Sequence, residues 1–254
     1  MASPVAPGYP ITIDGETVHV GTAGELVIAL DVLQGQHDRM VLQQLASHLA
    51  EVIGGPVGLM SSLRSLSPAD QIFLIDSLGP RLGELLPAAR HLRDLMAVLA
   101  ESTVEERLLE ALGTEKLRRL IATAGELGEV LEWLYGQCDQ RLLDLLGADH
   151  LRRLVTSGQE LSRVLHSLDA ERQSWLLEVL GWEKVRPLAT SGRDLAYMMG
   201  ALPPSLSEWL LGQYTREQLI ALIDNDRDWQ LLCRRLEAAE LAQLCALLGV
   251  EYHA

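Results

Sequence analysis

The chain has a single phenylalanine, Phe73, and only 4% of its 254 residues are aromatic. No uncharged apolar run approaches the roughly 18 residues that a membrane-spanning helix needs, so no membrane partner is expected. The first residues, Met1-Ala2-Ser3-Pro4-Val5-Ala6-Pro7, do not set a basic stretch ahead of an apolar core, which argues against a secretory signal. Cysteine is scarce and odd in number. Cys138, Cys233 and Cys245 each fall in a helical apolar pattern, which points to reduced, buried thiols in a cytoplasmic protein, with a redox switch as the lesser alternative.

Motifs that carry chemistry are missing as well. The chain has no Gly-x-Gly-x-x-Gly, no Walker loop, no His-Glu-x-x-His and no Cys-x-x-Cys. Gly54-Gly55-Pro56-Val57-Gly58 is rich in glycine but follows a helical pattern, so it reads as a loop between helices rather than a phosphate cradle. The seven histidines are scattered, with no pair at the i, i+4 spacing of helical metal ligands. No catalytic residue, cofactor or metal is expected from these patterns.

Positive charge is the minority sign. Lys and Arg total 21 against 35 Asp and Glu, for a formal charge of −14, which disfavours a nucleic-acid partner because phosphate contacts dominate such affinity. Residues 1–38 hold five acidic side chains and no Lys or Arg, leaving a charge of −9 on the rest.

What the chain has in abundance is leucine, at 52 positions, in place of β-branched and aromatic residues; this favours helix over sheet. The leucines are periodic. Leu108-Leu109-Glu110-Ala111-Leu112-Gly113 returns 34 residues later as Leu142-Leu143-Asp144-Leu145-Leu146-Gly147, and again as Leu176-Leu177-Glu178-Val179-Leu180-Gly181. Leu74 to Gly79 lies one period upstream. One period downstream, Leu210-Leu211 recurs but Thr215 fills the glycine slot, which Gly249 then restores. Leu127, Leu161, Leu195 and Trp229 align, as do Leu134, Leu168, Leu202 and Leu236.

Six repeats follow, at about 39–72, 73–106, 107–140, 141–174, 175–208 and 209–242, with a closing half-unit over 243–254. Each reads as three short helices. The first carries the Leu-Leu pair and stops at the glycine, which suits a left-handed C′ residue. The third starts at Thr123, Ser157, Ser191 or Asn225, each followed three residues later by an acidic residue. The next first helix starts at Ser67-Pro68, Thr103, Asp169 or Ser205. Ahead of the repeats, Ile11 to Val20 reads as a hairpin about Asp14-Gly15, and Thr22-Ala23-Gly24-Glu25 opens a helix to about Gln34. This segment, residues 1–38, is expected to cap the first repeat.

Three-helix repeats of this kind resemble α-solenoids of the armadillo or HEAT type. The period equals that of tetratricopeptide repeats, but those use two longer helices, and the basic face of Pumilio repeats is not evident here. The resemblance covers residues 39–242 at the level of architecture. It implies an all-α, right-handed α-solenoid of about six three-helix repeats behind a hairpin-plus-helix cap.

In armadillo-like solenoids the third helix lines the concave groove. The resemblance therefore makes its variable face the candidate partner site, and Glu129, Arg163 and Tyr197 align there, as do Glu132 and His166. The other candidates are Trp133, and Trp175 and Trp209, which share a position filled by Arg107 and Arg141 in earlier repeats. Tryptophan at the edge of an apolar stripe serves either packing or contact. Arg118, Arg152 and Arg186 occupy one repeat position and form a possible basic strip, with a solvated, ion-paired stripe as the plainer reading. The expected function is a non-catalytic protein-interaction module: an adaptor, scaffold or sequestering regulator that binds another protein. The alternatives are a helical-repeat enzyme whose site is invisible in sequence, or a HEAT-like nucleic-acid binder.

Overall fold

The hydroxyl and amide side chains that precede the repeated acids do open helices. The structure, a computed structural model, describes residues 8–13, 15–33, 37–99 and 101–250. Met1 to Pro7, Asp14, Gln34 and the last residues of the closing half-unit lie outside the described residues.

The chain begins with β1 (Tyr9–Ile13) and β2 (Glu16–Val20), an antiparallel hairpin pairing Ile11 with Val18 and Thr12 with Thr17, then α1 (Ala23–Leu33). Next come α2 (Asp38–Gln44), α3 (Leu49–Ile53), α4 (Pro56–Arg64), α5 (Pro68–Leu78), α6 (Leu82–Leu85) and α7 (Ala89–Met96). They are followed by α8 (Ser102–Leu120), α9 (Ala124–Leu131), α10 (Cys138–Leu146), α11 (Ala148–Leu154) and α12 (Gly158–Leu165). The remainder is α13 (Ala170–Leu180), α14 (Trp182–Val185), α15 (Gly192–Met199), α16 (Pro204–Leu211), α17 (Arg216–Leu222), α18 (Asp226–Arg235) and α19 (Ala238–Leu248). Helix predominates, and among the described residues strand is confined to the hairpin. No described helix is long and apolar enough to cross a membrane.

The caps explain where the helices start. Thr123 and Glu126 form a reciprocal capping box on α9; Ser157, Ser191 and Asn225 accept from the backbone N–H of Glu160, Asp194 and Asp228. Ser67 and Asp169 cap α5 and α13 as expected. Two expected starts are displaced. α8 opens at Ser102 with Glu101 at the cap, so Thr103 is already helical, and α16 opens at Pro204, whose fixed φ suits the first helical turn better than Ser205 suits a cap.

The recurrent glycine breaks the chain, but not in the expected left-handed geometry. Gly113, Gly147 and Gly181 have φ of 69°, 73° and 78° with ψ of 166°, 155° and 142°. That combination is accessible almost only to glycine. A Cβ at Gly113 or Gly181 would meet nothing within 4 Å, so backbone geometry alone demands the residue. Gly249, with φ 74° and ψ 29°, is the ordinary left-handed cap. Thr215 tolerates the glycine slot because its φ is −77° and its hydroxyl caps α17.

The chain divides into two compact bodies, one formed by residues up to 121 with 133–145, the other by 122–132 with 146 onward. In the first, α1 packs on α4, α4 on α7, α2 on α5 and α5 on α8. The hairpin is anchored there by buried Ile11 and Val20. The Gln44 side chain bonds both backbone groups of Thr12, at 2.8 and 3.0 Å, and the Tyr9 hydroxyl donates to Glu51 at 2.5 Å.

In the second body α9, α12, α15 and α18 lie side by side, each packed on the next. Their buried stripe is Leu127, Val130 and Leu131, then Leu161, Val164 and Leu165, then Leu195, Met198 and Met199, then Leu232. Gly158 permits the close approach: a Cβ there would lie 2.8 Å from Asp194 Cβ and 2.9 Å from its carbonyl oxygen.

One column of buried polar residues was not foreseen. Gln71 and Gln173 donate side-chain amide hydrogens to the carbonyls of Leu63 and Leu165, eight residues back in each case, and the Ser207 hydroxyl donates to Met199 across the same separation. These side chains satisfy carbonyls left open at helix ends. Glu105 occupies the same position but, when ionised, has no hydrogen to donate. Its Oε2 accepts from the Tyr135 N–H at 3.0 Å, and the Cys138 thiol also lies against the carboxylate. Burial therefore raises its pKa above the usual carboxylate range. The cysteines are not uniformly buried as expected: Cys138 and Cys245 are, but Cys233 is exposed, because it sits about 100° around α18 from the buried Leu232.

Candidate functional site

The row formed by α9, α12, α15 and α18 in the second body leaves a groove of about 530 Å³ on its solvent side. Its walls follow from helical periodicity. With Leu127, Val130 and Leu131 turned inward, Glu129 of α9 and Glu132 at its C-terminal cap turn outward, and both are exposed. The same logic exposes Arg163 on α12 and His166 at its C-terminal cap, while Tyr197 on α15 is half-buried. All five of these sequence-expected residues line the groove together.

The floor is close-packed. A Cβ at Gly128 would approach the Arg163 carbonyl oxygen to 3.1 Å, so the backbones lie close, and the Ser167 side-chain hydroxyl donates across to the Gly128 carbonyl at 3.1 Å. His166 Nδ1 lies 2.7 Å from the Ser162 carbonyl oxygen, which fixes the ring against its own helix.

The charge is graded along the groove. Glu129 and Glu132 make one end acidic. At the other, the guanidinium carbons of Arg235 and Arg193 lie 4.2 and 5.6 Å from the centre of the Tyr197 ring. A hydrogen bond from Arg193 and the charges of Arg193, Arg235 and Arg163 together hold the Tyr197 phenol below its ordinary pKa. Such an end can receive carboxylate or aromatic groups, because guanidinium forks bind carboxylates in pairs and also stack on rings.

Arg235 and Arg193 were missed from sequence. The residue one period after Tyr197 is Leu231, and Arg235 reaches Tyr197 from the next turn of α18, a displacement that alignment by period does not register.

The remaining candidates lie outside this lining. Trp133 is exposed, Trp175 is half-buried on α13, and Trp209 is 43% exposed. Trp209 meets Trp182 edge to face at 5.7 Å, and Trp182 meets the buried Tyr214 in the same way.

The expected basic strip is divided in its uses. Arg152 donates to the carbonyls of Val179 at 2.8 Å and Leu180 at 3.2 Å, closing the C-terminus of α13. Arg118 lies 3.7 Å from Glu115, and Arg186 is exposed. Another arginine column is more regular. In the first body Arg107 reaches Asp76 at 2.6 Å and Arg141 reaches Glu110 at 2.8 Å, each bridging 31 residues back. Among the described residues, no group of three or more His, Cys, Asp and Glu side chains converges in a way that would hold a metal ion.

No protein-family model matches this chain, and no curated protein is significantly similar to it in sequence, so the arrangement is read on its own chemistry.

Proposed function

We propose that this chain is a right-handed α-solenoid of about six 34-residue repeats, capped by its hairpin and α1, and that it works as a non-catalytic protein-interaction module in the cytoplasm. The partner is another protein, bound as an extended segment in the third-helix groove. One observation carries this reading: five residues from positions that vary between repeats line one groove, while the constant apolar positions of the same helices are buried. Variation confined to one face of a uniform frame is what a recognition surface on a repeat array requires.

The graded charge specifies the segment. Its acidic or aromatic residues meet Arg163, Arg193, Arg235 and Tyr197, and its basic residues meet Glu129 and Glu132. An adaptor, a scaffold and a sequestering regulator all use such a groove, and the partner's identity distinguishes them.

The test is affinity capture from the native host with the unmodified chain, an Arg163→Glu chain and a Trp133→Ala chain. The expected result is a partner retained by the unmodified and Trp133→Ala chains and depleted about tenfold or more by Arg163→Glu, a charge reversal in an exposed site. Capture unaffected by Arg163→Glu contradicts the groove reading. Recovery of no protein contradicts the module reading itself.

A further inference from the structure

A second groove lies on the N-terminal segment, in the first body, between β2 and α1. It holds about 500 Å³ and is walled by Val18, Val20, Ile28, Ala29 and Val32, with Glu16 and Glu25 at its rim. Apolar side chains are left in water here: Val18 is 44% exposed, Ile28 64% and Val32 73%. Three such residues on one short hairpin-helix element form a patch rather than a scatter.

The two edges of the hairpin are treated differently. The β1 edge is closed, since Pro10 has no N–H to offer and both backbone groups of Thr12 are bonded by Gln44. Those Gln44 bonds also fix the ladder. Thr12 faces Thr17 in the register, so their backbone groups do not pair across the hairpin, although their hydroxyls meet at 3.3 Å, and alternation turns the backbone N–H and C=O of Thr17 and His19 to the outer edge of β2. Among the described residues no strand pairs with that edge. An open edge beside an apolar helix face matches an extended chain, whose backbone bonds the strand while alternate side chains enter the groove.

Charge selects the occupant. Residues 1–38 carry five acidic side chains and no Lys or Arg, and Asp31 is exposed on α1. The Gly21 N–H, with Thr22, holds the Glu25 carboxyl below its usual pKa, so the rim stays anionic at neutral pH. A second copy of this chain would bring the same acidic segment to an acidic rim and be repelled. We propose that the β2–α1 groove binds an extended segment of a different protein in which apolar residues alternate with Lys or Arg, added as a third strand to the hairpin.

This inference does not depend on the third-helix groove, and its test uses a defined probe rather than a captured partner. Anisotropy of a labelled peptide of alternating arginine and valine, roughly six residues long, is followed against the full chain. Saturable binding is expected that weakens with added salt, is lost when the peptide's strand-facing amides are N-methylated, and falls about tenfold or more in Ile28→Lys and Val32→Lys. Both substituted positions are largely exposed, and unchanged circular dichroism of either variant establishes that the fold is kept. The proposal is overturned by no saturable binding, equal binding of the glutamate–valine counterpart, binding that survives N-methylation, or binding that survives both lysine variants. Concentration-dependent self-association abolished by Ile28→Lys also overturns it, in favour of a second copy.

Discussion

One repeat position, after Phe73 in its second copy, is arginine at Arg107 and Arg141 in the first body and tryptophan at Trp175 and Trp209 in the second. In the first body Arg107 and Arg141 each bridge back 31 residues, to Asp76 and Glu110. In the second, Trp175 and Trp209 stand one and two periods after Arg141, and Trp209 joins Trp182 and Tyr214 in an edge-to-face cluster. The leucines beneath are unchanged: Leu142, Leu143, Leu176 and Leu210 are all buried. Register is therefore set by the buried pair. The position next to it is free to be spent on ion pairing or on aromatic packing.

The comparison breaks first at the leucines. Leu143→Ala, in a fully buried site, is expected to lower the unfolding free energy by about 2–5 kcal/mol in denaturant titration. A loss under about 0.5 kcal/mol would mean the Leu-Leu register is not core. The glycine breaks come next. Gly181→Ala forces a side chain onto a backbone at φ 78° and ψ 142°, and a loss of about 1–3 kcal/mol is expected although the space around it is open.

Glu105 tests the buried polar column with the opposite sign. Its folded pKa is raised, so its favourable contribution is complete below the ordinary carboxylate pKa and is lost as pH rises through the raised value. Glu105→Gln supplies the amide that Gln71 and Gln173 use. It should stabilise the protein by about 1 kcal/mol at pH near 8 and by less near pH 4, as read from denaturation midpoints at the two values. A variant no more stable at the higher pH would show that the carboxyl finds another proton donor.

The surface position itself should matter least. Arg141→Ala is expected to cost under about 1 kcal/mol, with the difference shrinking in high salt. Trp209→Ala should cost more and be insensitive to salt, since it loses apolar contact rather than charge. Equal salt dependence would erase the distinction between the two regions.

Much of this was legible because short-range chemistry repeats. Thr123 with Glu126, Ser157 with Glu160 and Ser191 with Asp194 signal a cap wherever they occur; periodicity turns Glu129, Glu132, Arg163 and His166 away from the buried stripe, while the resemblance to armadillo-like solenoids is what singled out that face. What escaped depends on reach. Arg235 approaches Tyr197 from a later turn, and Arg152 crosses to the carbonyls of α13. Gln71 and Gln173 look like surface residues until the carbonyls that need them are placed. Gly113 signals a break, but whether ψ is left-handed or extended is decided by the direction of the next helix, which no local pattern contains.

The central claim, that 34 residues make one stacking unit, is tested most directly by removing one period. Deleting residues 141–174 joins Gln140 to Trp175, two positions of matching register. A stack held by nearest-neighbour contacts should keep the helical signal per residue and unfold cooperatively, with a midpoint lowered by the loss of one interface. Deleting half as many residues from the same place should abolish folding. If the full-period deletion is as unfolded as the half-period one, the repeat is a pattern in the sequence and not a unit of the fold.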